Sequence, residues 1–437
     1  MADLTAESIS ELMPEAQSPQ LFLGRQPILG REQQLFAYEL FFRDGLAATG
    51  NRADFLDPTQ ATATVIANAF AELATNGVLS PYRGFINVDR DLLFSDLIEA
   101  LPPQRVALEI NEGIAPTEDV LARCRQLHEQ GFLLATNDLV QVDESYRPLL
   151  ALVDIVKINI SRLDALQLGV LVNEIKPFGK KLLAEKVETL EQYEVCKSLG
   201  FDLFQGYFFA QPTIIAGKKL NPSQIALVRL LAMVMEDADT SVLENAFKLE
   251  PGLTINMLHL TNSVSSGLSI TITSLRHAIT ILGRRQLQRW LQLLVYTNPK
   301  GEAEGINPLL QLAATRGRLM ELLADRLMPR NREFADQAFM VGIMSLMPAL
   351  LGMAMADILA QLPVVPRVKQ ALLEHSGQHG HLLLLAESTE QIDLAVLAEA
   401  LHQAPAINAD FLGVCLTQAL SWANNLGQEQ VPATAGD

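Results

Sequence analysis

The sequence predicts an α/β domain built on a parallel sheet, followed by a separate all-α domain. Three observations carry this. Short apolar runs alternate with longer amphipathic segments from about residue 21 to residue 212. Strand signals then largely vanish, and apolar residues recur at helical spacing. At 437 residues the chain is also long for a single core, while 49% hydrophobic and 19% charged residues supply packed interiors and exclude a largely disordered protein.

In chain order, residues 1–20 form an acidic, polar extension without the basic-then-apolar order of a secretion signal. Strand-like runs follow at 35–40, 84–88, 106–110, 132–136, 154–158, 181–184 and 202–204. Helical patterns fill most of the gaps, at 60–75, 117–129, 163–178 and 190–199. Strands alternating with helices predict a parallel sheet, doubly wound or closed into a barrel. Gly217, Lys218 and Lys219 interrupt the apolar pattern and place a boundary at 213–220. Asn221-Pro222 reads as an N-cap with proline at the first helical position. Ser241 and Glu244 have capping-box spacing, Gly283 stops a helix begun at Leu275, and Leu287, Trp290, Leu291 and Leu294 mark a buried helix face. Residues 337–356 carry no charge, but Gly342, Ser345, Pro348 and Gly352 interrupt them, which predicts two buried helices broken at Pro348 rather than a membrane span. His375, His379 and His381 sit among glycines and are expected in a solvated loop, and residues 424–437 in a loose tail. The plan is a 1–20 extension, a 21–213 α/β domain, a 214–410 helical domain and a 411–437 C-terminal helix and tail. Cutting at the boundary is expected to leave two folded pieces.

Fifty acidic against 33 basic residues give a formal charge of -17, which argues against a generalised nucleic-acid-binding surface. Cys124, Cys196 and Cys415 are scattered and form no CxxC pair, as expected in a reducing, cytoplasmic compartment.

The polar residues of the first half fall at the strand ends. Glu39, Asn87, Glu109, Asn137-Asp138, Lys157, Glu185 and Gln205 close or follow seven successive strands. In a (β/α)8 barrel these positions converge on one mouth, where that fold places its active sites. Carboxylates, amides and one lysine there suit hard divalent cations and a phosphorylated ligand.

Arg25-Gln26-Pro27-Ile28, Tyr38-Glu39-Leu40 with Arg43, Phe85-Ile86-Asn87-Val88, Leu108-Glu109-Ile110-Asn111-Glu112, Val156-Lys157-Ile158, Ala184-Glu185-Lys186-Val187-Glu188-Thr189 and Gln205-Gly206-Tyr207 together resemble the successive motifs of EAL domains. Those are TIM-type barrels that bind cyclic di-GMP and, when active, cleave it with two Mg2+ or Mn2+ ions. The resemblance implies that Glu39, Asn87 and Glu109 hold one metal, with Asp138 as a vestigial fourth ligand. It implies that Lys157 and Glu185 flank the nucleophilic water, that Glu112 steadies the loop after its strand, and that Gln26, Arg43 and Gln205 touch the ligand. Active members carry two adjacent aspartates followed by Phe-Gly, where this chain has Asn137-Asp138-Leu139-Val140-Gln141; Asn159 likewise replaces an aspartate two residues after the lysine. Neutral Asn137 cannot bridge two cations as a carboxylate does.

Leu249-Glu250-Pro251-Gly252-Leu253-Thr254, Leu260-Thr261-Asn262-Ser263 and Ser274-Leu275-Arg276-His277-Ala278-Ile279 resemble HDOD domains, helical relatives of the HD phosphohydrolases without the His-Asp pair, and no His-Asp dipeptide occurs in the chain. Asn262-Ser263 reads as capping chemistry, and His259 and His277 as core or groove-edge histidines. The two resemblances imply a bacterial signal-transduction protein, non-catalytic, in which a degenerate EAL barrel senses cyclic di-GMP or a protein partner and the HDOD helices form the output or scaffold. Two alternatives stand beside it: a weakly active metal-dependent cyclic di-GMP phosphodiesterase, and an interaction scaffold that binds no nucleotide. Mg2+ or Mn2+, weakly held, are the implied cofactors. The implied partners are cyclic di-GMP, other signalling proteins and a second copy of the chain, with neither nucleic acid nor membrane among them.

Overall fold

The structure, a computed structural model, describes residues 21–44, 82–210, 222–249, 275–296, 307–390 and 394–426. The helical pattern at 60–75, the boundary at 213–220, His259, Asn262-Ser263 and the side chains of Arg43 and His277 lie outside these residues.

Eight strands close a barrel in chain order: β1 (Leu21–Gly30), β2 (Leu35–Asp44), β3 (Arg83–Val88), β4 (Val106–Ile110), β5 (Leu133–Leu139), β6 (Ile155–Asn159), β7 (Lys181–Glu185) and β8 (Leu203–Gln205). Seven stand where the apolar runs predict them. β1 does not read as a strand in the sequence, because Pro27 and the flanking Gly24 and Gly30 break its pattern. It runs antiparallel to both β2 and β8, while β2 to β8 are parallel. One residue from each strand fills the closed end of the barrel: Ile28, Ala37, Phe85, Ala107, Ala135, Ile155, Leu183 and Leu203. Outer helices form as the caps direct. Asp164 and Thr189 each make a complete capping box, starting Ala165–Ile175 and Leu190–Leu199.

The second half is helical throughout its described residues. Gly283 (φ 73°) interrupts Leu275–Leu294, and Leu287, Trp290, Leu291 and Leu294 are buried as their spacing predicts. Helices Pro308–Leu327 and Arg332–Met344 cross at Gly317 and Gly342, where a Cβ on Gly342 would stand 2.7 Å from the Gly317 Cα. Arg332–Leu351 is long and apolar enough to cross a membrane, yet it is mostly buried in the protein and breaks at Ser345–Leu346. Pro348 sits in the first turn of Met347–Leu351, so it opens the second helix rather than ending the first. Asp239, not Ser241, precedes Thr240–Lys248.

Two expectations need correction. His379 lies in the helix Gly377–Glu390, buried against Phe334 and bonded to its carbonyl, while His375 ends the preceding helix and pairs with Glu387. The glycines that suggested a loop are absorbed there: a Cβ on Gly380 would stand 2.3 Å from the His375 carbonyl carbon. Asn424 is a buried residue of the helix Ala409–Asn425, not the start of a tail. The two halves also share a core. A tight turn at 31–34 joins β1 to β2 without a helix, and Ala409–Asn425 and Gly377–Glu390 pack on β1. A cut between the halves would therefore expose apolar surface on both.

Candidate functional site

Strand periodicity builds the site. Side chains alternate between the two faces of a strand, so the residues two positions beyond the apolar plug also point inward. From Ala37, Phe85, Ala107, Ala135, Ile155, Leu183 and Leu203 that step lands on Glu39, Asn87, Glu109, Asn137, Lys157, Glu185 and Gln205. On antiparallel β1 the step runs backwards, from Ile28 to Gln26. The barrel thus changes from a wholly apolar layer to a wholly polar one within a single residue pair per strand.

Lys157 is the hub of that layer. It is fully buried, and Nζ donates to Glu39 Oε2 at 2.8 Å and to both Glu109 oxygens at 2.9 and 3.0 Å. Asn87 Nδ2 donates to Glu39 Oε1 (2.9 Å), and Gln205 Nε2 donates to Glu39 Oε2 (2.6 Å) and to Gln26 Oε1 (2.8 Å). One ammonium faces two carboxylates, which leaves one negative charge over. Burial opposes ionisation of Glu39, but Lys157 and the Gln205 and Asn87 donors outweigh it and hold that carboxyl below its usual range. Burial, then the Glu39 charge, pushes Glu109 well above its usual range despite Lys157. Burial alone would lower the Lys157 ammonium; Glu109, Glu39 and Glu185 together raise it. Burial raises Glu185 to about 7, with Lys157 opposing and Glu39 and Asp138 adding to the rise. Glu185 Oε2 and Gln205 Oε1 are buried acceptors with no hydrogen-bond donor among the described residues.

The strand end at β5 is irregular. Its register with β6 shifts between Thr136 and Leu139, and Asp138 takes a left-handed conformation (φ 52°), so consecutive residues 137 and 138 both reach the mouth. Asn137 Nδ2 donates to Asn87 Oδ1 (2.6 Å) and lies 3.4 Å from Asn111 Oδ1; Asn159 Nδ2 donates to Asp138 Oδ1 (2.8 Å). Amides therefore sit in an amide network. Glu112 stands at the rim, half-exposed and 3.7 Å from Arg162 beyond β6. The backbone of Arg43 pairs with Phe22, and its side chain lies outside the described residues.

Residues 12–212 match the EAL domain family and residues 221–403 the HDOD domain family. Cyclic di-GMP phosphodiesterase CdgJ of Vibrio cholerae is 31% identical over 377 residues, covering 85% of this chain and 85% of that protein. The chain belongs to the EAL–HDOD family. A second full-length relative, YuxH of Bacillus subtilis, is 29% identical over 413 residues, covering 93% of this chain and 98% of that one. Among solved structures, BlrP1 of Klebsiella pneumoniae in complex with manganese and cyclic di-GMP is 20% identical over 44% of this chain and 56% of that one, with a TM-score of 0.36.

In this EAL barrel, no three His, Cys, Asp or Glu side chains among the described residues form a group that could hold a metal ion. Glu39 and Glu109 do offer two carboxylates together, next to the unpartnered oxygens of Glu185 and Gln205, while Asn87 turns its amide nitrogen to Glu39 and its oxygen to Asn137. That donor set fits one hard divalent cation. Positions 137 and 159 carry neutral amides beside it.

The strand-end residues named from the sequence all stand at this mouth. What surrounds them was not legible there. Asn111, quoted only within a motif, joins the amide network, Arg25 grips the C-terminal helix through Asn424, and Tyr207 grips the HDOD helices through Glu390 and Arg316. Their partners lie 399, 183 and 109 residues away, so no local pattern announces them.

Proposed function

We propose that the chain is a cytoplasmic signalling protein whose EAL barrel binds cyclic di-GMP without efficient hydrolysis, and whose HDOD helices carry the output to other signalling proteins or a second copy of the chain. The charge count of the mouth carries this reading. Glu39 and Glu109 already share the Lys157 ammonium, while Asn137 and Asn159 offer no charge at the positions where a second cation needs it. Glu39, Asn87 and Glu109 would hold one Mg2+ or Mn2+, weakly, with Asp138 and Glu185 beside it. A bound cation would polarise a phosphodiester; with two ions both the attacking and the leaving oxygen are stabilised, and losing either term costs about tenfold in rate per 1.4 kcal/mol. Gln26, Arg43 and Gln205 are the proposed ligand contacts, and Glu112 supports the rim.

Hydrolysis is the second reading, and two observations favour it. CdgJ, a relative along most of its length, is a cyclic di-GMP phosphodiesterase. Glu185, held near 7 with one free oxygen, is matched to accept a proton from water. Calorimetric titration of the full chain with cyclic di-GMP, with and without Mn2+, and chromatography of the linear product separate the readings. Saturable binding without product supports the sensor, robust turnover replaces it with the enzyme, and no binding leaves a scaffold.

A further inference from the structure

Two residues of the mouth are chained to residues that hold the helical domain. Arg25 precedes Gln26, and its guanidinium donates to Asn424 Oδ1 at 3.1 Å while stacking 4.1 Å over the Tyr38 ring, next to Glu39. Tyr207 follows Gln205 by two residues, and its hydroxyl meets Glu390 and, at 2.8 Å, Arg316. Arg316, 3% exposed, donates Nε to Glu390 Oε1 (2.8 Å) and NH1 to Ser345 Oγ (2.6 Å) and Glu387 Oε1 (3.1 Å).

The link from Tyr207 to Gln205 is stiff. Gly206 stands at φ 150° with Val187 so close that a Cβ would fall 2.0 Å from its carbonyl oxygen. Val187 N–H donates to Gln205 O (2.9 Å), and Phe208 N–H to Val187 O (3.2 Å). A displacement of the Tyr207 ring is therefore carried into Gln205 rather than absorbed between them.

The interface chemistry also selects one arrangement of the two domains. A buried charge network is satisfied only in its own geometry, whereas an apolar contact tolerates sliding. Beside the network the packing is incomplete. A cavity lined by Arg25, Tyr38, Gln311, Thr315, Arg316 and Glu390, among others, separates the domains, and Tyr38 Oη and Gln311 Oε1 are buried at its wall with no hydrogen-bond partner among the described residues.

We propose that the HDOD helices set the geometry of the ligand end of the barrel mouth, with Tyr207 and Arg25 as positioning residues for Gln205 and Gln26. This rests on the reading of the mouth as a cyclic dinucleotide site. Binding there and the state of the interface are then thermodynamically linked, so a change at either moves the other by the same factor.

The test uses the full chain with Tyr207→Phe, which keeps the ring and the bonds from Arg316 Nε to Glu390 Oε1 and from its NH2 to Glu390 Oε2 (2.6 Å), and with Asn424→Ala on the other link. Each variant should bind cyclic di-GMP about 5- to 150-fold more weakly, the usual span of such coupling. Without ligand, amide exchange at Val187 should rise about tenfold in Tyr207→Phe, while β4 and β6 amides keep their protection. A merely structural role would lower protection everywhere instead. Unchanged affinity together with unchanged Val187 exchange would overturn the proposal. If the wild type binds no cyclic di-GMP, the sensor reading fails, and exchange at Val187 still decides whether the helical domain positions the mouth. Should Asn424→Ala fail to fold, Tyr207→Phe carries both measurements; should Tyr207→Phe fail, the affinity of Asn424→Ala decides, and unchanged affinity there overturns the proposal.

Discussion

Glu185→Gln should make the protein more stable in alkali, not less. The Glu185 carboxyl titrates at 4.5 when unfolded and near 7 when folded, chiefly because burial disfavours its charged form. A folded-state value above the unfolded one means that the native protein binds the proton more tightly. The stability this confers is fully present below 4.5 and is lost as pH rises through about 7. At about 1.4 kcal/mol per pH unit the difference amounts to roughly 3 kcal/mol by pH 8–9. Glutamine keeps a neutral side chain of the same shape at every pH. The variant should therefore match the wild type near pH 4 and exceed it by about 2–3 kcal/mol at pH 8–9, somewhat below the full figure because Glu185 keeps some contact with water. Urea denaturation of both proteins from pH 4 to 9, with chelator present, reads the difference directly and cancels other titrating groups. A difference that stays flat with pH, or a glutamine variant weaker at pH 8, would refute the assignment of burial as the dominant cause.

Other outcomes follow from the same geometry. Lys157→Met removes the counter-charge that Glu39 and Glu109 share, so it should cost about 3–5 kcal/mol at pH 7 by denaturant titration, and less at pH 4 where the carboxyls protonate; equal stability at pH 7 would deny the ammonium that role. Asn137→Asp and Asn159→Asp should each raise Mn2+ affinity roughly tenfold or more by calorimetry, since hard cations bind charged oxygens better than amides. Neither should restore full turnover, because Leu139, Val140 and Gln141 still replace the family's loop glycines; full turnover by Asn137→Asp alone would show that the loop matters little. Gly206→Ala should lose at least about 2 kcal/mol in thermal or denaturant unfolding, since its Cβ would overlap Val187, and a neutral result would contradict the close approach on which the Tyr207–Gln205 linkage depends.

The order of elements and the chemistry of the mouth are legible in the amino-acid sequence, because both rest on local periodicity. A strand shows its two faces in alternate residues, so the polar residues closing seven apolar runs can be assigned to one end of a parallel sheet from their spacing, while the closed barrel rests on the resemblance to EAL domains. Helix starts at Asp164 and Thr189, and the stop at Gly283, are equally local. β1 escapes such reading because its pairing lies with β2 and β8 rather than in its own composition, and that pairing tolerates Pro27 and two glycines. What each polar group faces is settled by the packed fold: Lys157 bridges acids 118 and 48 residues away, and Asn137 bonds to Asn87. The same packing buries His379 and Asn424, and brings Tyr207 to Arg316 across the domain boundary. Burial and charge pairing at long separation depend on how whole elements dock, and residue spacing along the chain holds no trace of that docking.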